Sequence, residues 1–242
     1  MTIEFALLIL AAYLLGSVPA AYLAAKWSRG IDIRRYGSGN VGASNLLKFT
    51  SKKVAIPAII FDVGKGMLIV WAAQLAGLGT VQQVTEGLAA IVGHNWPVFL
   101  RFSGGRGGLT TLGVILILVP KLGLILFCIA FLFSIFRQLA LGTILVIASL
   151  PVFSWFLNQP FGIEEKLLVT IGFLTIFLIT VLRRLTAPRT SLTASVPLRQ
   201  LITNRLLFDR DIRDRKAWIH RAPPEVGSAE QPPDQQEKQE KG

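Results

Sequence analysis

The chain has 242 residues, 52% hydrophobic and 16% charged, with a formal net charge of +11 and a mean hydropathy of +0.56. An ordinary soluble domain is about 45–50% apolar and about 25% charged, so this composition excludes one and points to an integral membrane domain with a polar tail. A net positive charge can signal nucleic acid. Here the basic residues fall between hydrophobic stretches, which is the pattern of membrane topology, and no nucleic-acid partner is expected.

Residues 3–25 are the first apolar stretch. They lack a basic n-region, with Glu4 the only early charge, and run past a usual h-region length, so they read as a retained span rather than a signal peptide. Gly16, Ser17 and Pro19 interrupt the cytoplasmic half of this span. A polar, basic loop covers 26–53, and a second span, 54–76, carries Asp62, Lys65 and Gly66 within it. A shorter apolar piece, 81–93, leads into a second polar loop, 94–108. Residues 109–119 are too few to cross a core of roughly 30 Å at about 1.5 Å per residue, so a partly inserted helix is expected there. Pro120 separates it from 121–136, and further spans cover 139–157 and 166–182.

The expected fold is therefore all-α and polytopic, with seven helical segments of which two are short. Residues 1–184 form the membrane-embedded domain and 185–242 a cytoplasmic tail, amphipathic around 201–212. From about residue 222 the Pro, Glu and Gln bias predicts disorder. The single cysteine, Cys128, excludes an internal disulfide and reads as a small core residue.

Loop charge sets orientation. Lys26, Arg29, Arg34, Arg35, Lys48, Lys52 and Lys53 crowd the first loop against Asp32 alone, and Arg101, Arg106 and Arg137 lie on the same side. The other side shows Glu4, Lys121, Glu164, Glu165 and Lys166. By the positive-inside rule the basic loops are cytoplasmic, the N-terminus is outside, and an odd number of crossings leaves the C-terminus inside.

Three features carry chemistry. The first loop reads GSGNVGASNLLK over 37–48. Its glycines let backbone N–H groups approach an anion, Ser38, Asn40 and Asn45 add neutral donors, and Arg34, Arg35 and Lys48 add charge. The bland alternative is a flexible turn, but three glycines interleaved with two asparagines beside a span favour a phosphate or polyol site. The second loop reads GHNWPVFLRFSGGRGG over 93–108 and feeds the next helix. A glycine run entering a helix N-terminus suits an anion, and Arg106 can add a bidentate contact. Glycine loops also serve as hinges, and a lone histidine such as His94 is as often a structural hydrogen-bonder. Third, a charge within a span usually faces a polar cavity or a partner. Asp62 and Lys65 are spaced i, i+3, which allows a private ion pair, while Gly64 and Gly66 favour Lys65 reaching a site with Asp62 orienting it.

At these motifs the sequence resembles the bacterial acyl-phosphate-dependent glycerol-3-phosphate acyltransferases, the PlsY family. The matching pieces are GSVPAAYLAAK (16–26), GIDIRRYGSGNVGASNLLK (30–48), DVGKG (62–66) and VGHNWPVFLRFSGGRGG (92–108). With the hydrophobic segments they cover about 3–184. The resemblance implies a seven-helix membrane enzyme at the plasma membrane. It moves a fatty acyl group from acyl phosphate to the 1-hydroxyl of glycerol 3-phosphate, giving lysophosphatidic acid, without cofactor, metal or covalent intermediate. It also implies a phosphate acyltransferase as the supplier of acyl phosphate. Ser38, His94, Lys65 and Arg106 would then be catalytic. Gly39, Asn40, Gly42, Asn45, Lys48, Asp62, Asn95, Gly104, Gly105 and Gly107 would bind substrate. The chain departs from the family in having Lys48 where arginine is usual and Arg106 where lysine is usual. The family's His-Arg-Glu-Asn stretch after the last helix is replaced by Arg183-Arg184-Leu185-Thr186-Ala187-Pro188-Arg189. A divergent non-catalytic relative that binds phosphate-bearing lipid or glycerol phosphate is the alternative. A small anion transporter ranks lower, since no paired inverted halves are visible.

Overall fold

A computed structural model describes residues 3–188, 193 and 196–219. Helix α1 (Ile3–Ser17) breaks before α2 (Ala20–Arg29). The break falls at Val18 and Pro19, because proline has no N–H to donate and disfavours helical geometry in the residue before it. The first basic loop holds a 3-10 turn (Ile33–Arg35) and α3 (Ala43–Phe49). Helices α4 (Lys52–Leu75) and α5 (Thr80–Asn95) follow, then a 3-10 turn (Val98–Leu100), α6 (Gly108–Leu118) and α7 (Pro120–Ile135). Pro120 opens α7 at a position where its missing N–H costs nothing. The chain continues through α8 (Leu139–Phe156), α9 (Asn158–Phe161), α10 (Lys166–Leu185), α11 (Leu198–Phe208) and α12 (Arg215–Ile219).

Among the described residues four runs are long and apolar enough to cross a bilayer: Ile3–Arg29, Lys52–Leu75, Leu139–Phe156 and Lys166–Leu185. Helices α6 and α7 are shorter apolar helices, as the brevity of 109–119 predicts. Many large apolar side chains on these helices point outward, Leu7, Ile60, Phe131 and Leu178 among them, as lipid rather than water requires. The core sits between α4, α5, α6, α8 and α10, around Val70, Ile91, Val114, Leu150 and Phe173.

Where helices touch, glycine sets the distance. A Cβ on Gly93 of α5 would lie 2.2 Å from the Tyr13 carbonyl oxygen of α1, and one on Gly113 of α6 would lie 2.0 Å from the Val63 carbonyl oxygen of α4. Small residues at such crossings let backbones approach closely, which is how helices associate when no hydrophobic force separates lipid from side chain.

Three expectations shift. The polar loop expected from residue 94 starts later, because α5 continues through His94 and Asn95; Trp96 still donates its N–H to the Val92 carbonyl before Pro97 ends the helix. Cys128 is exposed, not in the core. Helix α7 turns Leu122, Gly123 and Leu126 inward, and Cys128 lies off that stripe. The amphipathic stretch around 201–212 is α11 and its C-terminal turn, with Leu201, Asn204 and Arg205 buried against α8 and α10. The disorder expected from about residue 222 falls outside the described residues, as does Arg189.

The glycine seams predict a contrast between two alanine substitutions. Gly93→Ala should destabilise the detergent-solubilised protein by about 1–3 kcal/mol, the usual cost of overpacking. Gly64→Ala, where a Cβ meets nothing within 4 Å, should be neutral or stabilising, since glycine inside a helix costs roughly 0.5–1 kcal/mol relative to alanine. Thermal unfolding of both variants checks the pair. Equal losses would show that the close approach of α1 and α5 does not control stability.

Candidate active site

The break between α1 and α2 frees carbonyl groups inside the membrane domain, and Lys65 fills the gap. Its Nζ donates to the Gly16 oxygen at 2.9 Å and the Val18 oxygen at 3.2 Å, and lies 2.8 Å from Asp62 Oδ1. Both side chains are almost fully buried. The same Asp62 oxygen lies 3.5 Å from His94 Nδ1. The i, i+3 pair is thus real, but it is not private: it joins the helix break to the end of α5.

His94 faces the second glycine loop on its other side. A Cβ on Gly105 would fall 2.1 Å from His94 Nε2 and 2.7 Å from the Val41 carbonyl oxygen, so only glycine fits where the two loops meet the imidazole. The Gly105 N–H donates to the His94 carbonyl at 3.1 Å. Around this junction lies a narrow cleft of about 10 Å³, walled by residues 16–21 of the helix break, Val41, Asp62, His94, Pro97, Gly104 and Gly105.

The first loop is built around Asn45. Its amide donates to the carbonyls of Ile33, Tyr36 and Asn40 at 3.3, 3.0 and 3.2 Å, and its oxygen accepts from the Ser38 N–H at 3.2 Å. Asn45 is fully buried and spends its polar atoms on the loop's own backbone. Gly39 turns with φ 69° and donates its N–H to Tyr36. Ser38 Oγ accepts from the Asn40 N–H at 3.3 Å, while Asn40 Oδ1 is buried without a hydrogen-bond partner among the described residues. Gly42 precedes α3, and Lys48 stands exposed on that helix.

The second loop is held from outside. Arg183, buried near the end of α10, donates from Nε to the Gly105 carbonyl at 2.8 Å and from NH2 to the Gly104 carbonyl at 2.7 Å, and its guanidinium lies 5.8 Å from the Trp96 ring centre. Arg106 is not one of the cleft's walls; it donates from NH1 to the Arg183 carbonyl at 3.2 Å. Gly107 packs so closely on Asn95 that a Cβ there would lie 2.7 Å from Oδ1. The Asn95 amide is fully buried with neither of its polar atoms paired among the described residues.

The structure therefore brings Asp62, His94, Gly104 and Gly105 to one cleft, with Lys65 paired to Asp62 beside it. Ser38, Gly39, Asn40, Gly42 and Asn45 form the neighbouring loop, and Asn95, Arg106 and Gly107 are not among the cleft's walls. Lys48 stands apart. The carbonyls of Gly16 and Val18 and the wall residue Val41 were not singled out from sequence, and Arg183 stood out only as part of the segment that replaces the family's last motif, not as a clamp on the glycine loop. The Gly-Ser-x-Pro break was their one visible signal, since backbone carbonyls and a clamp seventy-eight residues away leave no local pattern.

Such a cluster of lysine, carboxylate and histidine, beside glycine backbone in a helical membrane domain, marks an integral membrane protein with a polar cleft among its helices. A family profile for glycerol-3-phosphate acyltransferase matches residues 6–190. Glycerol-3-phosphate acyltransferase 4 of Dehalococcoides mccartyi strain CBDB1 is 48% identical over 217 residues, which span 90% of this chain and 94% of that protein. The glycerol-3-phosphate acyltransferase of Parasynechococcus marenigrum is 44% identical over 149 residues, 61% of this chain and 70% of that one. The crystal structure of PlsY, an integral membrane glycerol 3-phosphate acyltransferase, superposes in its glycerol 3-phosphate form with a TM-score of 0.67 at 30% identity, over 75% of this chain and 88% of that one. Its lysophosphatidic acid form gives a TM-score of 0.64 at 29% identity over the same shares. The chain belongs to the glycerol-3-phosphate acyltransferase family.

The first loop also carries a pH-dependent brace. Asp32 accepts the Arg34 guanidinium at 2.9 and 2.6 Å and the Arg34 N–H at 3.0 Å, and Arg34 reaches the Leu100 carbonyl at 3.4 Å. Burial opposes the Asp32 charge, but the hydrogen bonds from Arg34 and the charges of Arg34 and Arg35 outweigh it, so its carboxyl sits below the ordinary value. A carboxyl lowered on folding contributes stability above its unfolded value, and that contribution is lost as pH falls through the folded value. Asp32→Asn should therefore flatten the loss of stability below about pH 4, measured as unfolding temperature against pH. An unchanged profile would remove Asp32 from the acid response.

Proposed function

We propose that the protein transfers a fatty acyl group from acyl phosphate to the 1-hydroxyl of glycerol 3-phosphate at the cytoplasmic face of the membrane, giving lysophosphatidic acid and inorganic phosphate. The observation that carries this reading is the cleft where both glycine loops meet His94 and the Lys65–Asp62 pair, in a chain of this family. PlsY has been captured in glycerol 3-phosphate and lysophosphatidic acid forms, which supports the acceptor and the product.

In this reading the acceptor hydroxyl attacks the acyl carbonyl. The new ester C–O bond forms as the bond between acyl carbon and phosphate oxygen breaks, and the hydroxyl proton leaves with the phosphate. The donor is already activated, so the protein contributes position and charge stabilisation rather than a covalent nucleophile. The glycine loops at 37–42 and 104–107, with Ser38 and Arg106, hold the two phosphates. Lys65 supplies positive charge beside the cleft through its pair with Asp62. Asp62 fixes the face of His94, whose other nitrogen orients substrate. Asn45 keeps the first loop in shape and Lys48 adds charge at its rim. A phosphate acyltransferase is the class of partner that would deliver the acyl phosphate.

The test is direct. Purified protein supplied with palmitoyl phosphate and glycerol 3-phosphate should release lysophosphatidic acid and phosphate, with acyl-CoA a poor donor. Ser38→Ala, His94→Ala and Arg106→Ala should each lower turnover about ten-fold or more, as loss of a charge-stabilising contact does. Robust transfer from acyl-CoA without acyl-phosphate activity would sink the donor assignment. Binding of glycerol 3-phosphate with no turnover would favour the non-catalytic alternative.

Orientation has its own check. The positive-inside pattern places the two loops in the cytoplasm and Gly162, at the other end of α8, on the opposite face. In a Cys128→Ser background, single cysteines at 40 and 103 should react with a membrane-impermeant maleimide only after the membrane is opened, and one at 162 in intact cells. Labelling at 40 in intact cells would put the cleft out of reach of cytosolic substrates.

A further inference from the structure

Arg106 is the cation within the glycine run 104–108, and a residue one hundred and three positions away in sequence lies against it. Its Nε lies 2.7 Å from Asp209 Oδ1, with both side chains mostly buried. NH1 is spent on the Arg183 carbonyl at 3.2 Å, no hydrogen bond from NH2 occurs among the described residues, and the Nε–Asp209 contact is a charge pair whose atoms are not aligned as a hydrogen bond. Asp209 thus occupies the side of the guanidinium and leaves a terminal nitrogen for an anion.

Asp209 is itself held firmly. It ends α11 in the left-handed region at φ 52°, which aspartate tolerates better than most residues. Four residues before it, Arg205 donates to Asp211 Oδ1 at 2.7 Å and to the carbonyls of Leu185 and Ala187 at 2.7 and 2.9 Å. Two residues after it, Asp211 is buried and accepts from Thr193 at 2.5 Å. Arg184 ties α11 to α8 through the carbonyls of Leu206 and Ala140. The network clamps the segment to the last carbonyls of α10, where cations are favoured. It also brings Asp209 near enough for its charge to act on Arg183 and Arg184. Three guanidiniums converge there, and Asp209 is the carboxylate that lets them do so.

We propose that Asp209, delivered by the C-terminal segment that α11 docks on the membrane domain, is a positioning residue for acyl transfer: it fixes the Arg106 guanidinium so that its free N–H edge meets a substrate phosphate. This rests on the reading of Arg106 as a phosphate ligand given above. Asp209 holds the Nε side of the guanidinium and the Arg183 carbonyl holds NH1, so the two contacts together fix its plane.

A double-mutant cycle in the full chain tests it. Asp209→Asn should lower turnover about ten-fold in the native background and change it little once Arg106 is alanine, because residues acting through one contact are not additive. Asp209→Glu should recover part of the loss. Thermal unfolding of each variant guards against misfolding; if Asp209→Asn fails to fold, Asp209→Glu with and without Arg106→Ala completes the cycle. An equal loss in both backgrounds would reduce Asp209 to a structural role, and a rise in turnover would make it a displaceable stand-in. Either result overturns the proposal. The same cycle read as glycerol 3-phosphate affinity does not depend on turnover. A wild-type chain that binds without transferring would refute acyl transfer while coupling between the two residues still upheld Asp209. A chain that neither binds nor transfers would remove both.

Discussion

An ammonium group inside a membrane domain costs several kcal/mol unless its donors find partners. Lys65 finds three, and two are the carbonyls of Gly16 and Val18. Those oxygens are available because α1 stops at Ser17 and α2 begins at Ala20; the last turn of any helix leaves carbonyls without intrahelical donors. The helix break and the lysine therefore depend on each other. Removing either leaves the other with unpaired polar groups in a place without water. Asp62 belongs to the same construction, because it offsets the charge and passes the constraint on to His94. The cleft exists where these groups keep the helices from closing over one another.

The two glycine loops meet the same demand by different means. Several of their N–H groups, those of Ser38, Gly39, Asn40 and Gly105, are already paired within the fold, and side chains complete the hold on each loop. In the first loop one buried amide does this: Asn45 ties three carbonyls and one N–H, and the Asp32–Arg34 pair braces the loop against Leu100. The second loop has no such residue within it. It borrows Arg183, which has the reach and the geometry to hold two successive carbonyls at once. The first loop is self-contained, whereas the second depends on where α10 ends.

That difference explains what was legible in the sequence. The apolar runs, the short segment at 109–119, the break at Gly16–Pro19, the glycine loops and the Asp62–Lys65 spacing are all local patterns, and each has its counterpart in the structure. Asn45 was visible as a polar residue in the right loop, but not as the one that spends its amide holding that loop, since the partners of an amide depend on folded backbone. Cys128 was misread because an apolar run in a membrane helix does not say which face looks inward. The segment after Arg184 was the hardest to read. Its polar, arginine-rich composition resembles a solvated tail, while its contacts are long-range and mostly to backbone carbonyls, which leave no pattern in the residues they touch.

The arginine pair at the end of α10 has a consequence for the direction of the second loop's dipoles. Arg183 draws the Gly104 and Gly105 carbonyls toward itself. In a trans peptide the N–H points opposite to the carbonyl of the same unit, so the N–H of Gly105 faces the other way, where the His94 carbonyl accepts it, and the N–H of Arg106 is turned away from Arg183 as well. The first N–H groups of α6 follow directly and have no intrahelical acceptor. One buried guanidinium thus aligns a run of backbone donors without touching any of them. A lysine at 183 would supply the charge but not the two fixed directions, so it would leave the loop free to turn its carbonyls, rather than its N–H groups, toward an incoming phosphate.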